Sequence, residues 1–152
     1  MTSSGRIKQL RLVVEAADYD EAVAFYRDVL GMTELAAFAE GGDDRVAILD
    51  AGRATLEIAS PAHKRFIDTV ETDGLVGERV RVAFEVDDTA GVTDEATSAG
   101  AQLLAAPVET PWRSLNSRLS APAALEISFF QELEPAEERA ARQGFGTDDG
   151  RP

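Results

Sequence analysis

The order Arg, three apolar residues, Glu, an apolar residue and a closing Asp runs through Arg11-Leu12-Val13-Val14-Glu15-Ala16-Ala17-Asp18. It returns 70 residues later at Arg81-Val82-Ala83-Phe84-Glu85-Val86-Asp87-Asp88. Leu56-Glu57-Ile58 is echoed by Leu125-Glu126-Ile127, 69 residues on. Two echoes in one order and at nearly one displacement predict two copies of one structural module. The apolar, branched run Gln9–Ala16 predicts a strand, with Leu12, Val14 and Ala16 on one face and Arg11, Val13 and Glu15 on the other.

Asp18 reads as an N-cap, with Glu21 placed to complete a capping box. A helix is expected over about Tyr19–Leu30, with Ala22, Val23, Tyr26, Val29 and Leu30 as its apolar stripe and Gly31 as its stop. Strands are expected at Thr33–Ala39, Arg45–Asp50 and Arg53–Ala59, punctuated by Glu40-Gly41-Gly42-Asp43-Asp44, Ala51-Gly52 and Ser60-Pro61. The module is therefore β-α-β-β-β. Its second copy is expected as a strand at Val80–Val86, a helix at about Thr89–Ala99, and strands at Ala101–Ala105, Ser114–Leu119 and Ala124–Gln131. Pro107 and Pro111 are expected to break the connection between the second and third of these strands.

The chain thus divides into an N-terminal stretch 1–7, a first module 8–60, a linker 61–78 with one helical turn around Phe66-Ile67-Val70, a second module 79–131, and a C-terminal segment 132–152. Glu134–Arg142 reads as a short helix and Gln143–Pro152 as a loose tail. The fold class is α+β.

Composition narrows the function classes. A formal net charge of −13 disfavours nucleic acid and anionic membrane as partners, because both need a basic footprint. No apolar run approaches the ~18 residues of a membrane span. Met1–Lys8 lacks the apolar core of a secretory signal, and cysteine is absent, so a cytoplasmic protein without disulfides or thiolate chemistry is expected. The single histidine, His63, falls in the linker, which leaves no Ser/His/Asp set.

The run Asp18–Gly31, centred on Ala24-Phe25-Tyr26-Arg27-Asp28-Val29-Leu30-Gly31, resembles the glyoxalase/bleomycin-resistance/extradiol-dioxygenase group, the vicinal oxygen chelate superfamily. Val82–Asp88 and Pro111-Trp112 are also similar to it. The resemblance covers about residues 8–131. It implies paired β-α-β-β-β modules, each curling a mixed sheet around a cavity, and a homodimer. It also implies ligand positions for a divalent metal at the start of the first strand and near the end of the fourth in each module, usually His, Glu, His or Gln, and Glu.

Here those positions hold Arg11, Glu57, Arg81 and Glu126. Both carboxylates match and both histidines are replaced. A guanidinium stays protonated and offers five donors with no lone pair, so it cannot ligate a metal. The expectation is no metal and no cofactor, with Arg11 facing Glu57 and Arg81 facing Glu126, either as ion pairs or as forks for an anionic or carbonyl-bearing ligand. Trp112 and Phe38 are candidate stacking surfaces for that ligand. Glu15 and Glu85 lie at strand ends and are expected to be solvated.

Three functions follow. The first is a metal-free protein binding a small organic molecule. The alternatives are a metal-dependent lyase, isomerase or dioxygenase, which Arg11 and Arg81 oppose, and a metal-free acid–base enzyme using Glu57 or Glu126. The turn Ser120-Ala121-Pro122-Ala123-Ala124 lacks the polar Asp-Pro-Asp-Gly type expected there, which leaves the register of Glu126 open.

Overall fold

A computed structural model of the chain describes residues 11–41, 44–55, 57 and 59–141. The expected terminal stretch 1–7, Gln9, Leu10, Leu56, Ile58 and the tail from Gln143 on lie outside them. Asp18 caps α1 (Tyr19–Val23) by accepting the Glu21 amide at 3.0 Å, one half of the expected box. The helix continues as a π-helical segment, Ala24–Val29, in which Leu30 N donates to Phe25 O at 3.0 Å. This wider turn lets the consecutive rings Phe25 and Tyr26 both enter the core and meet edge to face at 5.0 Å. The sequence stripe contains Tyr26 but misses Phe25. Gly31 ends the segment at φ 77°, which only glycine adopts without strain.

β1 (Glu34–Gly41) and β2 (Asp44–Leu49) form an antiparallel two-stranded sheet. The strands expected at Gln9–Ala16 and Arg53–Ala59 are not observed among the described residues, which run there as irregular chain. Leu12 and Val14 are 49% and 43% exposed instead of covered.

The larger difference lies in the linker. Ser60-Pro61, read as a turn, is a helix start: Ser60 Oγ accepts the His63 amide at 3.2 Å, and Pro61 takes the first position of α2 (Pro61–Thr72). Asp73, at φ 57°, ends it in the left-handed region. The expected single turn is a 12-residue helix.

The second module follows its expected pattern closely. β3 (Val82–Glu85), α3 (Thr89–Ser98), β4 (Gln102–Glu109), β5 (Ser114–Ala121) and β6 (Leu125–Glu132) build a four-stranded sheet in the order β3-β6-β5-β4. β3 runs parallel to β6 and the other pairings are antiparallel. Pro107 does not break β4. It sits on this edge strand where the register slips between Ala105 and Val108, a place that tolerates a missing amide. A short helix α4 (Ala136–Ala141) closes the described chain.

Alternation along β5 and β6 separates two faces. Leu119, Ala121, Ile127 and Phe129 pack with Ala96 and Ala101 in one core, and Phe25 and Tyr26 of the first module belong to the same cluster. Tyr26 also donates its hydroxyl to Pro122 O at 2.9 Å, and burial pushes its pKa up to about 12. The two modules therefore share one hydrophobic core. Phe129 is 1% exposed at its centre, so Phe129→Ala should cost about 3–5 kcal/mol, read as a lower urea midpoint with an unchanged slope. A loss under about 1 kcal/mol would mean that the core closes around the cavity or does not depend on this ring.

Candidate functional site

The other face of the second sheet is polar and is covered by α2. Ser114, Asn116 and Arg118 of β5 and Glu126 and Ser128 of β6 are all buried. From above, α2 lowers Ile67, Asp68 and Glu71 onto them. Arg118, 1% exposed, is the hub. Its Nη1 donates to Asp68 Oδ1 and Glu126 Oε2, both at 3.1 Å, and its Nη2 donates to Glu71 Oε1 at 2.8 Å. Its Nε has no partner among the described residues. Burial alone would lower the Arg118 pKa, and the hydrogen bonds to Glu71 and Asp68 reverse that and raise it.

The surrounding groups complete a network. Asn116 Nδ2 donates to Glu71 Oε2 at 2.7 Å, with Ser114 Oγ donating to Asn116 Oδ1 at 2.7 Å and so fixing the amide. Lys64 Nζ donates to Asp68 Oδ2 at 2.7 Å and to Gly77 O at 2.9 Å. The chain after α2 passes directly over the cluster: Gly77 N donates to Asp68 Oδ2 at 3.2 Å and Glu78 N to Glu126 Oε1 at 3.1 Å. Gly77 is required there, because an added Cβ would meet Arg118 Nη1 at 2.7 Å and Glu126 Oε2 at 2.8 Å.

Arg81, just before β3, stands at the margin and is partly exposed. Its Nη1 donates to Ser128 Oγ at 2.6 Å. Burial first, and repulsion from Arg118 second, lower its pKa, against the pull of Glu71, Glu126 and Glu57. Asp68, Glu71 and Glu126 against Arg118, Lys64 and Arg81 make a cluster of zero net charge, with the three carboxylates and Arg118 buried and the two other cations at its margin.

The candidate residues are thus only partly assembled. Glu126 is in the cluster, held by β6 in the register Ser120↔Glu126, so the altered turn has not displaced it. Its ion-pair partner is Arg118 and not Arg81, whose guanidinium bonds to Ser128 instead. Glu57 is exposed, yet its charge reaches Arg81. Arg11 is exposed on irregular chain and is not among the residues of the Arg118 network. Phe38, 61% exposed on β1, sits opposite Val46 and belongs to neither the core nor the ion cluster. Trp112 lies in the β4–β5 turn, where its ring meets Phe66 of α2 at 6.2 Å, and Phe66 meets His63 at the same distance.

Sequence reasoning missed Arg118, Asn116, Asp68 and Glu71. The signals were present: Ser114, Asn116, Arg118 and Ser120 alternate with Leu115 and Leu119 along one strand, and Asp68 and Glu71 are three apart on one helix face.

The donor set at the metal positions does not fit a divalent cation. Arg11 and Arg81 have no lone pair to give, and both oxygens of Glu126 already accept donors. Among the described residues, no group of three His, Asp or Glu is arranged to hold one.

The family model for the Glyoxalase/Bleomycin resistance protein/Dioxygenase superfamily matches residues 6–129 of the chain. The chain belongs to this superfamily. Solved structures agree on the fold of a superfamily member. A protein of unknown function from Agrobacterium tumefaciens is 19% identical, covers 84% of this chain and 98% of its own, and has a TM-score of 0.51. A glyoxalase-related enzyme from Fulvimarina pelagi is 14% identical with coverages of 83% and 89%, and a superfamily member from Sphaerobacter thermophilus 15% identical with 78% and 92%, both at TM-score 0.51. At such identities the likeness speaks for the fold alone. None of the curated proteins matches the sequence.

Asp68 gives the cluster a measurable pH signature. Burial alone would raise its pKa, and the bonds from Lys64, Gly77 N and Arg118 overcome this and lower it. A depressed folded-state pKa stabilises above the unfolded value of about 3.9 and ceases to do so as pH falls through the folded value. Urea midpoints should therefore fall as pH drops below about 4 and on through the lowered folded-state value. Asp68→Asn should lose about 2 kcal/mol at pH 7 and show a shallower acid limb. An unchanged acid limb in the variant would remove Asp68 from this account.

Proposed function

We propose that the protein binds a small organic molecule bearing a carboxylate or carbonyl group without using a metal. The observation that carries this reading is the saturation of Glu126: one oxygen accepts Arg118 Nη1 and the other Glu78 N, so the second module's carboxylate is spent on its own chain. The same saturation speaks against Glu126 as a general base, since it would first have to release two donors. Arg81 is the group left to meet a ligand. It is partly exposed, its hydrogen bond to Ser128 uses one of five guanidinium donors, and it lies within the field of Glu57. Trp112 borders the same α2-covered face through Phe66 and offers an apolar wall.

The reading includes a cytoplasmic homodimer. Leu12, Val13, Val14, Leu35, Phe38 and Val46 are exposed in the first module, more large apolar surface than a lone module leaves open to water. Among the described residues, no helix is long and apolar enough to cross a membrane. Sedimentation velocity at micromolar concentration should give a dimer, and a monomer at that concentration counts against this part of the reading.

The binding claim is tested by a thermal-shift panel of small carbonyl compounds and carboxylates, run with and without EDTA. Stabilisation by organic compounds should persist in EDTA and drop at least tenfold in apparent affinity in Arg81→Gln. Shifts that need Ni, Zn, Fe or Mn, with the metal retained stoichiometrically, would restore the metal-dependent alternative.

A further inference from the structure

We propose that the buried face beneath α2 is a carboxylate receptor whose present occupants are the chain's own Glu71 and Asp68, and that a small monocarboxylate takes their place by displacing α2. This rests on the small-molecule reading above and names how the site is reached.

The receptor half is carried by the sheet. Ser114, itself bonded to Thr110, orients Asn116 so that its Nδ2 projects from the sheet, and Ser128 holds Arg81. Arg118 stands between them on β5. Glu71 sits on this surface as a bound carboxylate would, one oxygen on Asn116 Nδ2 at 2.7 Å and the other on Arg118 Nη2 at 2.8 Å. The fit to the occupants is incomplete. Three separate carboxylates each give Arg118 a single oxygen, and its Nε, though buried, has no acceptor among the described residues.

α2 is held as a displaceable element would be. Ile67 is its only buried apolar residue, and the other two buried positions are Asp68 and Glu71. Phe66, Leu75 and Val76, in α2 and the chain leaving it, stay exposed. The attachment is therefore mainly ionic and contributes little hydrophobic burial. Charge sets the ligand class. With α2 and its Lys64, Asp68 and Glu71 withdrawn, Arg118 and Arg81 face Glu126 on the sheet while the exposed Glu57 acts on Arg81 from the solvent side, so the sheet's own groups leave one positive charge, which one monoanion neutralises.

Trp112 reports the displacement, because its ring contacts Phe66 of α2 and it is the only tryptophan. Propionate is titrated into the wild type and into Glu71→Gln at constant ionic strength, with propionamide as the uncharged control and Trp112 fluorescence as the readout. Glu71→Gln removes the charge of the internal occupant and should bind propionate at least tenfold more tightly, with the wild type showing the same spectral shift at higher concentration. Equal or weaker binding by Glu71→Gln, an equal response to propionamide, or no propionate binding to either protein overturns the proposal. Should Glu71→Gln fail to fold, hydrogen exchange of the wild type decides. Faster exchange at residues 64–72 in saturating propionate supports displacement, and unchanged or slower exchange overturns it. Binding that is lost in Arg81→Gln while α2 stays put would sink the displacement and leave the proposed function standing.

Discussion

Burying Arg118 constrains everything around it. A guanidinium taken out of water costs several kcal/mol unless charge and hydrogen bonds replace its hydration. In this chain three carboxylates from two elements do so, two from α2 and one from β6. That demand accounts for the position of the linker helix, for the glycine at Gly77 where the chain crosses the cluster, and for Lys64 reaching both Asp68 and the Gly77 carbonyl. The ions do not add much to stability by themselves. They specify which helix lies on which face of the sheet.

The sheet thereby acquires two unlike sides. Toward α3 and the first-module helix it offers Leu119, Ile127 and Phe129, and the core there is continuous across both modules. Toward α2 it offers ions and amides. Arg118 and the margin residue Arg81 both belong to this second side. The first half of the chain, by contrast, brings a two-stranded hairpin and the helix that carries Phe25 and Tyr26 into the core.

Much of this was legible in the residues. Asp18 and Gly31 mark helix ends that the structure reproduces, and the strands over residues 80–131 fall within a few residues of their expected places. Ser60-Pro61 shows how a local signal can be read two ways, since the same pair serves a turn or opens a helix, and only the acids that follow at Asp68 and Glu71 have a use for the helix. Arg118 was harder to single out. An arginine in a strand is ordinarily a solvated residue, and nothing nearby in sequence announces that residues 50 and 47 positions away will neutralise it.

The sequence alone determined the helix ends at Asp18 and Gly31, the order of strands and helix over residues 80–131 and the arginines at positions 11 and 81. These depend on local periodicity, capping and residue chemistry, which act over a few residues. Tertiary structure alone decided which carboxylate meets which arginine. Glu126 went to Arg118 because antiparallel pairing of β5 and β6 sets them on one face, while Arg81 was left to Ser128. Ion pairing among buried groups is a matter of which side chains share an enclosed volume, and that volume exists only after the sheet and α2 have closed on each other.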